Sequence, residues 1–191
     1  MVPPCDGPGR TVPGPDLTDG GKVLDILDRD ATDPSAANRK HLLVVYHSRS
    51  GSTARLLDAV VAGAAEGGGE AVECRVLKAF DAGPEDVIWA DATVLGTPAN
   101  FGYMSGALKD FFERIYHRCL DLTFGLPYAL FVKGETDASG AVTSVERIVA
   151  GLRWRAVLPP LIVVGEVKPP DLDQARELGA TVAAGLDAGI F

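Results

Sequence analysis

The stretch LLVVYHSRSGST, residues 42–53, joins an apolar run directly to a bend rich in hydroxyl groups, and this order decides the fold class. Residues 42–46 are apolar without alternation, which is typical of a parallel strand that helices bury on both faces. Segment 52–66 then carries apolar residues at helical spacing. The sequence therefore predicts a strand, a tight turn and a helix in this region.

The same order recurs along the rest of the chain. Strand-like runs alternate with helical segments, the strands at 71–77, 92–97, 128–133 and 161–165 and the helices at 84–90, 105–119, 141–156 and 172–187. Five β runs that alternate with five α runs predict a doubly wound α/β fold, in which helices cover both faces of a five-stranded parallel sheet. The glycine triplet at 67–69 follows a helix rather than a strand, so we expect it to end that helix and not to bind a dinucleotide.

Length and charge limit the function classes. The chain has 191 residues, a mass of 20.0 kDa and a formal charge of −8, which favours one domain and disfavours nucleic acid as a partner. No run reaches the ~18 apolar residues of a membrane span, and three widely spaced cysteines predict neither a disulfide framework nor a zinc site. We therefore expect a cytoplasmic protein without a metal. Residues 1–41 contain six prolines and five glycines and are predicted to form a mobile extension ahead of a domain at 42–191.

Ligands of open α/β sheets bind beyond the carboxyl ends of the strands, which points to the loops after the first, third and fourth strands. The first of these loops offers hydroxyl groups, a glycine and backbone N–H groups at a helix N-terminus, a combination that suits a phosphate dianion. Serine and glycine also cap helices and form turns in any such loop, so this loop alone leaves both interpretations open. It contains no nucleoside triphosphate motif, no hydrolase nucleophile elbow and no catalytic thiolate, because serine occupies position 48.

The loop after the third strand reads GTPANFGYMSGALKDFF, residues 96–112. Gly102 permits an unusual backbone angle, and Ser105 is predicted to cap the helix that follows. Phe101 and Tyr103 either offer flat faces to a planar heterocycle or close the end of the sheet as ordinary core residues.

The segments YHSRSGST at 46–53 and GTPANFGYMSGALKDFFER at 96–114 resemble the flavodoxin-like superfamily, especially its branch of NAD(P)H:quinone oxidoreductases and tryptophan-repressor-binding-protein-like proteins. The resemblance covers residues 42–191 and implies the strand order 2-1-3-4-5 and a non-covalently bound FMN. It assigns the FMN phosphate to Ser48, Arg49, Ser50, Gly51, Ser52 and Thr53. It assigns the isoalloxazine ring to Thr97, Pro98, Ala99, Asn100, Phe101 and Gly102.

The loop after the fourth strand, residues 133–141, is where this sequence departs from that branch. It is short and acidic, whereas the quinone reductases have a longer loop with a histidine and additional glycines. Lys133 and Gly134 complete the predicted cofactor site. Gly134 and Gly140 either let the backbone approach the pyrimidine side of the ring or serve as turn residues.

Three functions follow from these observations. The resemblance favours an enzyme that uses FMN and NAD(P)H to reduce a quinone or a similar small-molecule acceptor, with the chemistry on the flavin and no catalytic side chain. The acidic charge also suits a flavodoxin-type electron carrier that docks to a basic redox partner protein. A fold of this class that binds no flavin and serves as an interaction module is the third alternative. The oligomer that we expect is a homodimer.

Overall fold

The computed structural model describes residues 39–191, so the predicted mobile extension lies almost entirely outside the described residues. The first strand begins two residues before the predicted domain start. The strands are β1 Lys40–Tyr46, β2 Val72–Lys78, β3 Ala92–Asn100, β4 Tyr103–Met104, β5 Pro127–Gly134, β6 Arg155–Ala156 and β7 Leu161–Val164. The helices are α1 Ser52–Gly68, α2 Pro84–Trp89, α3 Gly106–Cys119, α4 Ser139–Gly151 and α5 Pro169–Asp187, with a short 3-10 helix at Gly69–Ala71.

The main sheet is parallel and has the order β2-β1-β3-β5, with β6 and β7 both paired to the outer side of β5. Since β6 and β7 share the position of a fifth strand, the predicted order 2-1-3-4-5 is confirmed. Pro159 and Pro160 separate the two pieces, and proline removes the N–H group that a continuous strand would donate.

The central strand β1 explains why its sequence is apolar without alternation. Leu42 and Val44 pack into the cluster that α1 and α5 cover, whereas Leu43 and Val45 pack into the cluster on the opposite face. All four side chains have no exposed surface. Burial on both faces places the ligand-binding loops at one edge of a rigid sheet.

Helices α1 and α5 approach each other through glycines. A Cβ atom added at Gly63 would overlap the carbonyl oxygen of Arg176, and one added at Gly179 would overlap the carbonyl oxygen of Val60. The two backbones are therefore in direct contact at these positions, and any larger side chain would force them apart.

The predicted helix at 141–156 is wrong at its end. Helix α4 stops at Gly151, Arg153 adopts a left-handed φ of 59°, and Arg155 starts β6. Trp154 explains the turn, because its buried indole Nε1 donates a hydrogen bond of 2.9 Å to Thr123 Oγ1. Burying this ring and satisfying its only donor outweighs another turn of helix. Among the described residues, no helix is both long and apolar enough to cross a membrane.

Candidate functional site

A cleft of about 350 Å³ lies at the carboxyl edge of the sheet, between the ends of β1, β3 and β5. It brings together eight of the fourteen predicted site residues, namely Arg49, Ser50, Ser52, Thr53, Pro98, Ala99, Asn100 and Lys133. Glu135 also lines it and was not among the predicted residues. The loops after the first, third and fourth predicted strands therefore converge on one cavity.

The first wall of the cleft is the start of helix α1. Gly51 precedes the helix with a φ of 92°, a left-handed angle that favours glycine. The hydroxyl of Ser48 accepts a hydrogen bond of 3.2 Å from the N–H group of Ala54, and the N–H group of Arg55 donates to the carbonyl of Gly51. Ser48 and Gly51 thus shape the turn and do not line the cleft.

The N–H groups at this turn are available to a ligand. Within the described residues, those of Ser50, Gly51, Ser52 and Thr53 have no hydrogen-bond acceptor. The first turn of α1 also contains no acidic residue. Free donors at the positive end of a helix dipole, without a competing carboxylate, bind phosphate well.

The second wall is the end of β3, which is held from behind by Thr97. This side chain is fully buried, and its Oγ1 accepts a hydrogen bond of 3.0 Å from the N–H group of Ser105 and donates one to the carbonyl of Pro98. Ser105 in turn accepts a hydrogen bond from the N–H group of Leu108, so its predicted role as the cap of α3 is confirmed. Thr97 therefore supports the wall without reaching the cavity.

Beyond this wall, β3 and β4 form a short antiparallel hairpin that the sequence did not predict. Phe101 and Gly102 occupy its tip with φ angles of 53° and 74°. The ring of Phe101 is fully exposed, and Tyr103 is also exposed, so these aromatics are not core residues and that alternative is wrong. Neither Phe101 nor Gly102 lines the cleft, and their predicted contact with a flavin ring stays a prediction.

The third wall is the end of β5. A Cβ atom added at Gly134 would lie 2.5 Å from the carbonyl oxygen of Asp137, so glycine is needed there to close the turn. One added at Gly140 would overlap the carbonyl oxygen of Gly102, which ties the start of α4 to the tip of the hairpin. Both glycines serve the packing of the loops.

An ion pair and a hydrogen-bonded carboxylate mark this third loop. Lys133 is buried and forms an ion pair with the exposed Glu135. Hydrogen bonds from the hydroxyl and then the N–H group of Ser139 lower the pKa of Asp137 below its ordinary value. Asp137 therefore stays ionised at the start of α4, where the helix dipole favours a negative charge.

His47 lies at the base of the first loop. Its burial, together with the charge of Arg49, lowers the pKa of the imidazole below its ordinary value. Its Nδ1 atom is buried and finds no hydrogen-bond partner within residues 39–191. His47 thus remains neutral near pH 7 and adds no charge to the cleft. No group of three His, Cys, Asp or Glu side chains in this same range is arranged to hold a metal ion.

Comparison with known proteins identifies the family. An NAD(P)H dehydrogenase (quinone) of Archaeoglobus fulgidus is 34% identical over 181 residues, and the match covers 74% of this chain and 95% of that protein. The chain belongs to the flavodoxin-like flavoproteins. A flavodoxin of Aquifex aeolicus is 36% identical over 74 residues, which is 39% of each chain.

Solved structures agree with this flavodoxin-like assignment. A flavodoxin from the domain Archaea has a TM-score of 0.67 and 18% identity over 76% of this chain and 98% of that chain, a likeness that shows the fold. No family model matches the chain.

The residues of this flavodoxin-like cleft fit an FMN group. Unpartnered N–H groups at the start of α1 suit the phosphate, and the adjoining backbone at 98–100 contributes a wall of small and amide side chains that leaves room for a flat ring. Glu135 is a site residue that the sequence did not predict, although its position two residues after Lys133 carried a signal, because a lysine at the end of a buried strand needs a counter-ion.

Proposed function

We propose that this protein binds FMN in the cleft and takes a hydride from NAD(P)H to reduce a quinone or a similar acceptor. The observation that carries the proposal is the convergence of three loops on one cavity, with free N–H donors at one wall. The FMN supplies the redox chemistry, since its ring accepts a hydride and passes two electrons on. The chain needs no nucleophilic side chain for this reaction.

The protein contributes binding and orientation. The N–H groups of Ser50, Ser52 and Thr53 would hold the phosphate, and the backbone at 98–100 would form the wall for the ring. The β3–β4 hairpin is held in register by two cross-strand pairs, Ala99 opposite Met104 and Asn100 opposite Tyr103.

Exposed aromatic side chains support a hydrophobic acceptor. Phe80 follows β2 and is 64% exposed, and Phe101 follows β3 at the same edge of the sheet. Exposed apolar groups near a cleft commonly mark a binding surface. A quinone ring has the flat, apolar faces that such side chains favour.

The test is an anaerobic titration of the purified protein after loading with FMN. NADH and NADPH are added separately, and the absorbance of oxidised flavin near 450 nm is followed. We expect rapid bleaching by at least one of them, followed by recovery when a quinone is added. A protein that binds FMN but is bleached only by dithionite would contradict the proposed enzyme.

A second candidate function is electron transfer to a partner protein. The formal charge of −8 favours it, because an acidic surface attracts a basic partner. This function predicts that NAD(P)H alone leaves the flavin oxidised, whereas NADPH with a flavodoxin reductase bleaches it. The rate of that bleaching should fall with added salt, since ions screen the attraction.

A further inference from the structure

We infer that Lys133 binds the phosphate of the ligand in the cleft, and that Glu135 is the counter-ion which that phosphate replaces. This inference rests on the proposed FMN site and gives it a charged residue with a defined role. It also gives Glu135 a role of its own, as an internal competitor of the ligand.

Burial explains why Lys133 needs a negative partner. Its side chain is 6% exposed, and it stands at the end of β5 with the core on one side and the cleft on the other. A buried ammonium group is costly unless an opposite charge and hydrogen-bond acceptors lie close by. In the absence of a ligand, Glu135 meets that need.

Glu135 is a weak partner for such a group. Its side chain is 80% exposed, so water and salt screen its charge, and its carboxylate loses side-chain entropy when it stays paired. A single residue, Gly134, separates it from Lys133, and it lies on the loop beyond the strand. An anion enclosed by the cleft is screened less and therefore competes favourably with Glu135.

The face of the sheet indicates which part of the ligand Lys133 meets. Side chains alternate along a strand, so Lys133 points to the same face as Phe131. Phe131 packs in the cluster that contains Leu56 and Leu57 of α1, and the strand partner of Lys133, Val163, belongs to that cluster as well. Lys133 therefore lies on the side of the sheet that α1 covers, next to the first turn that offers the free N–H groups.

The balance of charge in the cleft supports an anionic ligand. Its lining contains two cations, Arg49 and Lys133, and one carboxylate, Glu135. When Glu135 swings into water, the cleft has two positive charges for a phosphate dianion. A neutral ligand that lacks the phosphate gains nothing from this exchange.

The experiment compares the dissociation constants of FMN and riboflavin, measured by quenching of flavin fluorescence. Riboflavin has the same ring and lacks the phosphate. The variants are Lys133→Met, Glu135→Gln and, as a matched control, Lys109→Met, which removes a lysine that is paired with Glu113 outside the cleft. Circular dichroism and urea unfolding establish that each variant is folded.

We expect Lys133→Met to weaken FMN binding by at least about 30-fold and riboflavin binding by less than about threefold. Glu135→Gln should tighten FMN binding about three- to tenfold, because it removes the competing charge, and should leave riboflavin unchanged. Lys109→Met should change neither constant.

Equal weakening of FMN and riboflavin by Lys133→Met would overturn the inference, since the lysine would then contact the ring or only support the loop. An FMN affinity that Glu135→Gln leaves unchanged would overturn the exchange of counter-ions. If the unaltered protein binds neither flavin, the proposed function itself fails, and this assignment fails with it.

Discussion

The two ends of helix α1 are built for different tasks. Its C-terminal half lies against the backbone of α5, where Gly63 and Gly179 leave no space for even a methyl group. At its N-terminal end, an added Cβ at Gly51 would meet nothing within 4 Å, and neighbouring N–H groups lack partners within the described residues. One end contributes packing to stability, and the other keeps unsatisfied donors for a ligand.

Glycine serves two different purposes along this helix and the residue before it. At Gly51 it permits a backbone angle, whereas at Gly63 it permits contact between helices. Substitutions at the two ends should therefore affect different properties of the protein.

The largest expected effect is at the α1–α5 contact. Gly179→Ala should lower the free energy of unfolding by about 3 kcal/mol, because its methyl group would overlap the carbonyl oxygen of Val60 and force the helices apart. Urea unfolding followed by circular dichroism measures this change.

The matched control is Gly106→Ala on α3, where an added Cβ meets nothing within 4 Å. The control should stay within about 0.5 kcal/mol of the unaltered protein. Equal effects of the two substitutions would refute the close contact.

The opposite end of α1 should respond in binding and not in stability. Ser52→Asp places a carboxylate in a first turn that has none, and the helix dipole should make this change neutral or stabilising by about 0.3–1 kcal/mol. The same carboxylate repels a phosphate dianion, so the dissociation constant of FMN should rise at least about 100-fold. Fluorescence titration measures the constant.

Ser52→Ala and riboflavin provide the controls for this substitution. The alanine variant keeps the first turn neutral and should bind FMN within about tenfold of the unaltered protein. Riboflavin should bind the aspartate variant as it binds the unaltered protein. Loss of riboflavin binding in the aspartate variant would mean that the substitution had disrupted the turn at residues 50–53 and not only repelled the phosphate.

The parts that sequence predicted well depend on local pattern. Residues 42–46 are apolar throughout because both faces of β1 are buried. The unbroken run of five apolar residues is enough to predict this burial from the sequence. The strand order follows from the resemblance. Helix starts were predicted from caps such as Ser105, whose hydroxyl accepts the N–H group of Leu108.

The parts that sequence missed depend on contacts between distant segments. β4 and β6 contain two residues each, too few for a periodic signal, and β6 directly follows Trp154, which donates a hydrogen bond to the distant Thr123. The contact of Gly179 with Val60 joins two helices that are far apart in the chain. The pairing of Lys133 with Glu135 is local, and what the sequence could not predict is that both residues line one cleft with the first turn of α1.

A smaller effect is expected at the tip of the β3–β4 hairpin. Phe101 combines a left-handed φ of 53° with a fully exposed ring, so it contributes strain and no burial to the folded state. Phe101→Gly should therefore raise the free energy of unfolding by about 0.5–1 kcal/mol. Thermal unfolding measures the change.

The same variant tests the predicted contact of Phe101 with a flavin ring. If that contact exists, Phe101→Gly should weaken both FMN and riboflavin by similar factors, unlike the variants at Ser52 and Lys133. An unchanged affinity for both flavins would remove Phe101 from the binding site and leave acceptor binding as its remaining role.

The smallest effect concerns His47, which lies at the base of the loop that leads into α1. Burial and the charge of Arg49 hold the pKa of this imidazole below its ordinary value of 6.5, so the unfolded chain binds a proton more readily than the folded chain does. The stability that neutral His47 contributes is therefore complete above about pH 6.5 and decreases as the pH falls below that value. His47→Gln should make the free energy of unfolding less dependent on pH between about pH 7.5 and pH 5.5.

An NMR titration of the His47 imidazole measures its pKa directly. Addition of FMN should raise it, because a nearby phosphate dianion favours the protonated ring, whereas riboflavin should not. A His47 pKa at or above 6.5 in the ligand-free protein would contradict the prediction that this imidazole is neutral. It would also place an additional positive charge beside the first turn of α1.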